Sequence, residues 1–490
     1  MSLTLDRLLA PLGIMAPAVA LGEMQLDSRA VQPGDLFIAL KGHAVDGRSY
    51  IPAAIQQGAA AVLYEADETF IADVARPVPL FAIADLPARL SELAGRFYGE
   101  PGKQLQLVGV TGTNGKSTTT QLIANWRALL GGTAGVLGTL GNGLFGHLTP
   151  CANTTASAVE IQRELARQQQ QGADLVAMEV SSHGLVQHRV SALPFAVAAF
   201  TNLSRDHLDY HGTMDEYAAA KRRLFTLLPA ASCVFNADDP VAQQWLAELP
   251  NAVAYSQTRS LTHLPGRYLF ADQVQFHDRG FSVEITSSWG MGVLSAPLLG
   301  AFNVANILAA LACLLVLGYD LKALLAAAPR LQSVTGRMEC FGGGDKPLLV
   351  VDYAHTPDGL EQALLAARQH CRGRLWCLVG CGGDRDRGKR PMMAAITERL
   401  ADRFILTDDN PRTEAPEQIV ADMLAGLAAP RLALIEHQRE AAIRRALSET
   451  QAGDLILIAG KGHEEYQIVG KQKLMYSDRD TVVRLLEAGA

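Results

Sequence analysis

An apolar run, Leu107-Val108-Gly109-Val110, leads into Gly112-Thr113-Asn114-Gly115-Lys116-Ser117-Thr118, and Thr119-Thr120-Gln121-Leu122-Ile123-Ala124 follows. The run reads as a buried strand and the last segment as the start of a helix. Strand, glycine loop, Lys-Ser and helix in that order form the layout of a phosphate cradle. Glycines let backbone N–H groups turn toward an anion, and a helix N-terminus favours negative charge. Lys116 is placed to reach terminal phosphates, and Ser117 to offer its hydroxyl to magnesium. The standard loop has a further glycine five positions before the glycine of the Gly-Lys pair, where this chain has Val110. The loop is therefore a variant. A plain glycine turn with an incidental lysine would not require both the strand and the helix that flank it.

At 490 residues the chain is too long for one core, and its length suggests about three domains. Hydrophobic residues make up 49% and charged residues 19%, as in globular enzymes. A net charge of -7 argues against broad nucleic-acid affinity, which needs a basic surface. The seven cysteines run from Cys151 to Cys381 without a Cys-x-x-Cys pair, so the expectation is reduced thiols in a cytoplasmic protein. Cys377 and Cys381 lack a second Cys or His pair to complete a zinc site. No signal peptide is expected, since Asp6 and Arg7 balance and Pro11 and Pro17 interrupt the first apolar stretch. The most apolar segment, Val304 to Leu317, falls short of the ~20 residues that span a bilayer and reads as a buried helix.

The expected fold is α/β in three domains. Residues 1–97 form a small α/β domain with strands at 35–40 and 60–64 and a helix at 87–98. Residues 98–333 form a central domain whose mostly parallel sheet (107–110, 175–180, 195–200, 233–236) has helices on both faces. A short antiparallel patch lies at 268–284 and the apolar helix follows. Residues 334–490 form a Rossmann-like domain in which four apolar runs (348–351, 375–379, 404–406, 455–458) each end in a polar or glycine-rich cluster. Ligands of open α/β sheets bind at the carboxyl ends of strands, so the four clusters are expected to share one site.

Several residues carry candidate chemistry. Glu179 ends a strand and suits a metal ion or its water beside a triphosphate. His207 lies in Asp206-His207-Leu208-Asp209-Tyr210-His211, where a polar loop and a metal or proton-transfer site are both readable. Thr213-Met214-Asp215-Glu216 is a capping-box pattern that starts a helix. Lys221 follows two turns later, either solvated or partly buried with a reactive neutral amine. In Asp409-Asn410-Pro411-Arg412 the arginine offers a fork to a carboxylate, and Asp409 and Asn410 suit an ammonium. Arg385 is another candidate carboxylate partner. Local sequence leaves an ordinary Asn-Pro turn and a solvated basic loop open for these last two.

Gly112 to Thr118, the run Asn202 to His211, Asn303 to Asn306, Gly336-Arg337-Met338-Glu339, Asp352-Tyr353-Ala354-His355 and Asp409 to Arg412 occur in an order that resembles the Mur ligases across the whole chain. The resemblance implies an ATP- and magnesium-dependent ligase of peptidoglycan precursor synthesis that joins an amino acid to a UDP-sugar dipeptide. It implies that Gly112, Thr113, Asn114, Gly115, Lys116, Ser117 and Thr118 bind ATP, with Asn303, Asn306, Arg337 and Asp352 as further nucleotide contacts. It implies Ser117, Glu179, His207 and a carbamylated Lys221 as the metal set. Leu26, Ser28, His43, Ala44 and Val45 match binders of the UDP end. Asn153, Thr154, Thr155, Ser181, Gln187 and Arg189 match binders nearer the reacting end. Arg385, Asp409, Asn410, Pro411, Arg412, Gly460 and Glu464 match the site of the added amino acid.

The form Asp-Asn-Pro-Arg resembles members that add meso-diaminopimelate, whose far end carries a carboxylate that lysine lacks. A monomer without nucleic-acid or membrane partners satisfies the resemblance. A lysine-adding relative, a folylpolyglutamate synthase-like ligase and a nucleotide-gated binding protein are the alternatives. The N-terminal domain and the 409–412 cluster argue against the synthase. The joint presence of Lys116, Glu179, His207 and Lys221 argues against the binding protein.

Overall fold

The computed structural model describes residues 3–42, 45–67, 70, 78–226 and 232–488. Contacts group the chain into two compact units, Met1–Ala254 with Ala312–Gly318, and Tyr255–Leu311 with Tyr319–Ala490.

The first unit begins with four parallel strands, β1 (Met24–Gln25), β2 (Leu36–Ala39), β3 (Ala61–Glu65) and β4 (Leu80–Ile83), in sequential order. The helix Leu86–Phe97 follows, one residue earlier at each end than the apolar spacing suggests. It packs on the helix Ala158–Gln170, where Gln162 donates to the Ser91 carbonyl at 3.3 Å and Arg163 to the Tyr98 hydroxyl at 2.9 Å. A second sheet contains β5 (Gln106–Thr111), β6 (Ala134–Gly138), β7 (Gly141–Leu144), β8 (His147–Thr149), β9 (Leu175–Glu179), β10 (Phe195–Phe200) and β11 (Ser232–Asn236), in the order β11-β10-β5-β9-β6-β7-β8. From β11 to β6 every pairing is parallel. The glycine-rich β7 and the short β8 add an antiparallel edge.

Phe200, Phe225, Phe235 and Trp245 stack with ring centroids 4.7 to 6.5 Å apart. This aromatic cluster packs β10 and β11 against their helices by apolar contact, with the rings edge-on or tilted to one another. β12 (Val253–Ser256) lies where the two units meet in sequence.

The second unit contains an antiparallel ribbon of β13 (Tyr268–His277), β14 (Gly280–Ser287) and β15 (Gly290–Ala296), where the sequence suggests short alternating strands. The helix Ala301–Val316 is apolar on nearly every face and buries Val304 and Ile307 through Leu315, as expected of a core helix. No helix among the described residues is long and apolar enough to cross a membrane.

The remaining sheet runs β16 (Glu339–Gly342), β17 (Leu348–Asp352), β21 (Leu455–Ala459), β18 (Leu375–Val379), β19 (Arg403–Leu406), β20 (Leu434–Ile435). All its pairings are parallel except that of β16. Its strand residues alternate between two cores. Leu348, Val350, Cys377, Leu406 and Leu457 join the helices Pro357–His370 and Lys389–Leu400. Leu349, Val351, Trp376, Leu378, Ile405 and Ile456 join Arg439–Ser448 and Asp478–Glu487. Successive strand side chains point to opposite faces, so helices cover both faces, as the continuous apolar runs imply.

His370 closes the helix Pro357–His370 onto the ribbon. Its Nε2 accepts from the Gly300 N–H at 2.9 Å, and its Nδ1 faces the His277 carbonyl at 2.6 Å. A backbone N–H only donates and a carbonyl only accepts, so the ring must be neutral with its proton on Nδ1. Burial lowers the pKa of His370, and the unfolded chain therefore binds the proton more readily than the fold does. This contribution is fully present above the ordinary imidazole value of about 6.5 and is lost as pH falls through the depressed folded value. Urea unfolding measured from pH 8 to pH 5 is expected to show stability falling with acid. The fall is expected to be smaller in His370→Gln, whose amide offers an NH2 donor group and an oxygen acceptor and does not titrate.

Candidate functional site

The register of the phosphate-loop sheet brings three strand ends side by side. Val110 of β5 pairs with Glu179 of β9, and Thr111 pairs with Phe200 of β10. The loop that starts at Gly112 thus lies between Glu179 and Thr201-Asn202. Thr201 Oγ1 and Asn202 Nδ2 donate to the Asn114 carbonyl at 2.6 and 3.1 Å, while the Asn114 N–H donates to Asn202 Oδ1 at 2.9 Å. The helix Lys116–Leu129 starts directly after Gly115. A helix N-terminus at this position favours an anion.

Glu179 is buried and receives the Ser117 hydroxyl at 2.9 Å, the Thr139 N–H at 2.8 Å and the Thr139 hydroxyl at 3.1 Å. A hydroxyl and a carboxylate together form an oxygen donor pair that suits magnesium. Among the described residues no three His, Cys, Asp or Glu side chains gather into a metal cluster. His207 is half exposed. Its ring lies 5.0 Å from His183 and 6.1 Å from Tyr217. His211, not His207, is the buried histidine of this run, with Nε2 2.8 Å from the Ser182 hydroxyl.

Lys221 sits in the helix Met214–Thr226, which begins after Thr213 as the capping-box pattern predicts, the Glu216 N–H donating to Thr213 Oγ1 at 3.2 Å. Of the two readings open for Lys221, the buried one holds, since the side chain is only 1% exposed. Its Nζ donates to the Gly112 carbonyl at 2.8 Å and lies 4.3 Å from the centre of the Tyr217 ring. Lys116 Nζ donates to the same carbonyl, and to that of Thr113, both at 2.9 Å. Burial, and then the adjacent Lys116 charge, hold the Lys221 amine well below the usual lysine range. An amine in that position spends more of its time neutral and nucleophilic.

The residues matched to the reacting end form one network behind Glu179. Thr154 Oγ1 and Thr139 Oγ1 lie 3.0 Å apart. Thr155 Oγ1 donates to the Glu179 carbonyl at 2.9 Å and accepts from the Ser181 N–H at 2.9 Å. Arg189 donates to the Thr155 carbonyl and to Gln187 Oε1, and the Asn153 carbonyl accepts from Cys151. Leu26 and Ser28 flank Asp27, which caps the short turn Ser28–Ala30 beyond β1. Val45 is exposed. His43 and Ala44 lie outside the described residues.

In the second unit, Asn303 and Asn306 are buried in the first turns of the apolar helix, with Asn306 Nδ2 donating to Asn303 Oδ1 at 3.0 Å. Asp352 ends β17 and accepts the N–H groups of Met338 and Ala354 at 2.7 and 2.8 Å. Burial raises its pKa while Arg337 pulls the other way. The Arg337 guanidinium lies 4.9 Å from the Tyr353 ring centre, and its buried Nε has no hydrogen-bond partner among the described residues.

The four strand-end clusters of this sheet converge. Lys389 Nζ donates to the His355 carbonyl, and the Gly383 N–H to the Asn410 carbonyl. A Cβ on Gly382 would lie 2.8 Å from Arg412 Nη1 and 3.6 Å from Arg385 Cγ, so both side chains pass close to that glycine. Asn410 Nδ2 donates to Glu464 Oε2 at 3.0 Å, and a Cβ on Gly460 would lie 3.6 Å from Asp409 Oδ2. Pro411 turns the chain so that the Arg412 N–H meets the Ile468 carbonyl at 3.0 Å. This segment backs onto the hairpin of β22 (Tyr466–Val469) and β23 (Gln472–Met475).

Sequence reasoning missed Thr139, Thr201, Lys461 and this hairpin. Thr139 follows the short apolar run of β6, so a strand-end rule applied there would have found it.

Comparison with known proteins covers all parts of the chain. The family model described as the Mur ligase middle domain matches residues 110–314, that of the Mur ligase glutamate ligase domain 336–462, and that of the Mur ligase family catalytic domain 22–98. A solved UDP-N-acetylmuramoyl-L-alanyl-D-glutamate–2,6-diaminopimelate ligase is 37% identical, with 100% of this chain and 99% of that one covered and a TM-score of 0.75. The MurF ligase of Thermotoga maritima, solved with ADP, shares the fold at 17% identity, 96% and 98% coverage and a TM-score of 0.65. Mycobacterium tuberculosis folylpolyglutamate synthase shares it at 18% identity over 76% of this chain and 92% of that one, with a TM-score of 0.60.

Gly112 has φ of 149°, and a Cβ there would stand 1.9 Å from Thr201 Oγ1. Gly112→Ala is therefore expected to distort the loop at a cost of about 1–3 kcal/mol. It should weaken ATP binding by roughly 10-fold or more while circular dichroism stays unchanged, as calorimetric titration with ATP will check.

Proposed function

The chain belongs to the Mur ligase family, and from that premise we propose that it adds meso-2,6-diaminopimelate to UDP-N-acetylmuramoyl-L-alanyl-D-glutamate at the expense of ATP. One observation carries the reading. A chain matched end to end by a diaminopimelate ligase at 37% identity places two arginines and two carboxylates at the ends of adjacent strands. That set suits an amino-acid end bearing both a carboxylate and an ammonium. The far end of L-lysine carries an ammonium alone and would leave the arginines unmatched.

The reaction divides between the two strand-end sites. The γ-carboxylate of the glutamyl residue attacks the γ-phosphorus of ATP, ADP leaves, and an acyl phosphate forms. The amine of diaminopimelate attacks the acyl carbon, loses a proton, and inorganic phosphate leaves. Lys116 turns its ammonium to the transferring phosphoryl group, where positive charge stabilises the transition state. Magnesium, when bound, neutralises phosphate charge, and Ser117 and Glu179 would hold it with His207 and Lys221 as its carbamate. The neutral amine of Lys221 adds to carbon dioxide with loss of a proton, which replaces a cation by an anion at that position. Thr154, Thr155, Ser181, Gln187 and Arg189 hold the acceptor near Glu179, and Leu26, Ser28, His43, Ala44 and Val45 hold its uridine end. Asn303, Asn306, Arg337 and Asp352 contact the nucleotide.

In this reading the domains are 1–97, 98–333 and 334–490, and a cytoplasmic monomer suffices. The folylpolyglutamate synthase likeness is one of fold, and no observation favours the lysine-adding alternative.

Phosphate release measured with ATP, the UDP-sugar dipeptide and either meso-diaminopimelate or L-lysine tests the reading. Release is expected with diaminopimelate and little with lysine. Absence of release with both rejects the ligase, and preference for lysine rejects the specificity. Arg412→Ala is expected to cost roughly 1.5–3 kcal/mol of amino-acid binding, read as a raised KM for diaminopimelate with that for ATP unchanged.

A further inference from the structure

Lys461 lies between two glycines, and its side chain is fully buried. An ammonium has three N–H donors, and three acceptors surround this one: Glu464 Oε2 at 3.1 Å, Asn410 Oδ1 at 3.2 Å and Asp409 Oδ1 at 3.4 Å. Every donor is engaged, so Lys461 has none left for a ligand. Its effect is on its neighbours.

Asn410 Oδ1 accepts from Lys461 and from the Ile468 N–H at 2.9 Å. Both are donors only, so the amide oxygen must face them and the amide nitrogen must face Glu464. Glu464 Oε2 then takes both Lys461 and Asn410, and no donor among the described residues reaches Oε1. Asp409 Oδ1 takes Lys461, and no donor among the described residues reaches Oδ2, which lies beside Gly460. Each carboxylate therefore keeps one oxygen for a ligand. Two carboxylates and one ammonium sum to a single negative charge, which matches one ligand ammonium.

We propose that Lys461 is a positioning residue that sets Asp409, Asn410 and Glu464 to receive one ammonium of the amino-acid substrate, and that it thereby favours a zwitterionic end over a purely cationic one. The proposal rests on the ligase reading above. Without Lys461 the cluster carries two negative charges and the amide of Asn410 is free to turn. The pocket then favours an end that carries ammonium alone, as in L-lysine.

The test uses the full-length enzyme and phosphate release, with Lys461→Met and Lys461→Arg beside the wild type. Lys461→Met is expected to raise the KM for meso-diaminopimelate by on the order of 10-fold or more. The KM for ATP and the kcat at saturating amino acid should hold. The ratio of kcat/KM for diaminopimelate to that for L-lysine should fall, and Lys461→Arg should restore part of it. Should circular dichroism find Lys461→Met unfolded, Lys461→Gln carries the same comparison. If both neutral variants unfold while Lys461→Arg folds with unaltered selectivity, the residue is purely structural and the proposal fails. A parallel rise of both KM values, or a loss of kcat with selectivity unchanged, also overturns it. A wild type that releases phosphate with neither amino acid rejects the ligase reading instead, which distinguishes the two failures.

Discussion

The register of β5 between β9 and β10 is the constraint on which the phosphate-loop half depends. With Val110 opposite Glu179 and Thr111 opposite Phe200, three carboxyl ends finish level. Strands of a parallel sheet covered on both faces must be apolar along their length, so polar chemistry is confined to the turns beyond them. A slip of one residue would turn every side chain of a strand to the opposite face. Glu179 would then leave Ser117 and Thr139, and the loop would lose its carboxylate. The packed aromatic rings at β10 and β11 support that side of the sheet.

The other large sheet reaches a similar arrangement of strand ends by other means. Its loops are tied down by buried cations. Arg390 is fully buried and bonds Glu414, Asp422 and the Gly382 carbonyl, fixing the loop that carries Arg385. Arg439 pairs with Asp478 and donates to the carbonyls of Asp408 and Ala459, which join two strand ends. Buried ion pairs of this kind add little net stability because desolvation offsets their attraction. Their contribution here is geometric: each has several fixed partners and leaves the loop it joins one arrangement.

Much of this was legible before folding. Phe195–Phe200 and Leu375–Val379 are strands with the bounds that their apolar runs suggest, and most others differ by one or two residues. Buried parallel strands are written as continuous apolar runs, which is why. The edge strands β7 and β8 were not legible, because one is half glycine and the other only three residues long, and neither has such a run. The hairpin of β22 and β23 was missed for a related reason. Its half-exposed side chains give a weak pattern, although its backbone fixes Asn410 and Arg412. Lys221 and Lys461 mark the limit more sharply. A lysine in a helix or between glycines is solvated by default, and only the packing of distant segments decides otherwise.

Two lysine amines share the carbonyl of Gly112. The loop thus holds its own cation, with Lys116 on the carbonyls of Gly112 and Thr113. Under the proposed assignment, nucleotide association would be an exchange in which Lys116 gives up two carbonyl oxygens for phosphate oxygens. The affinity for ATP would then be a difference between two sets of charge-assisted bonds. A change that weakened the resting set alone would tighten nucleotide binding without touching the nucleotide.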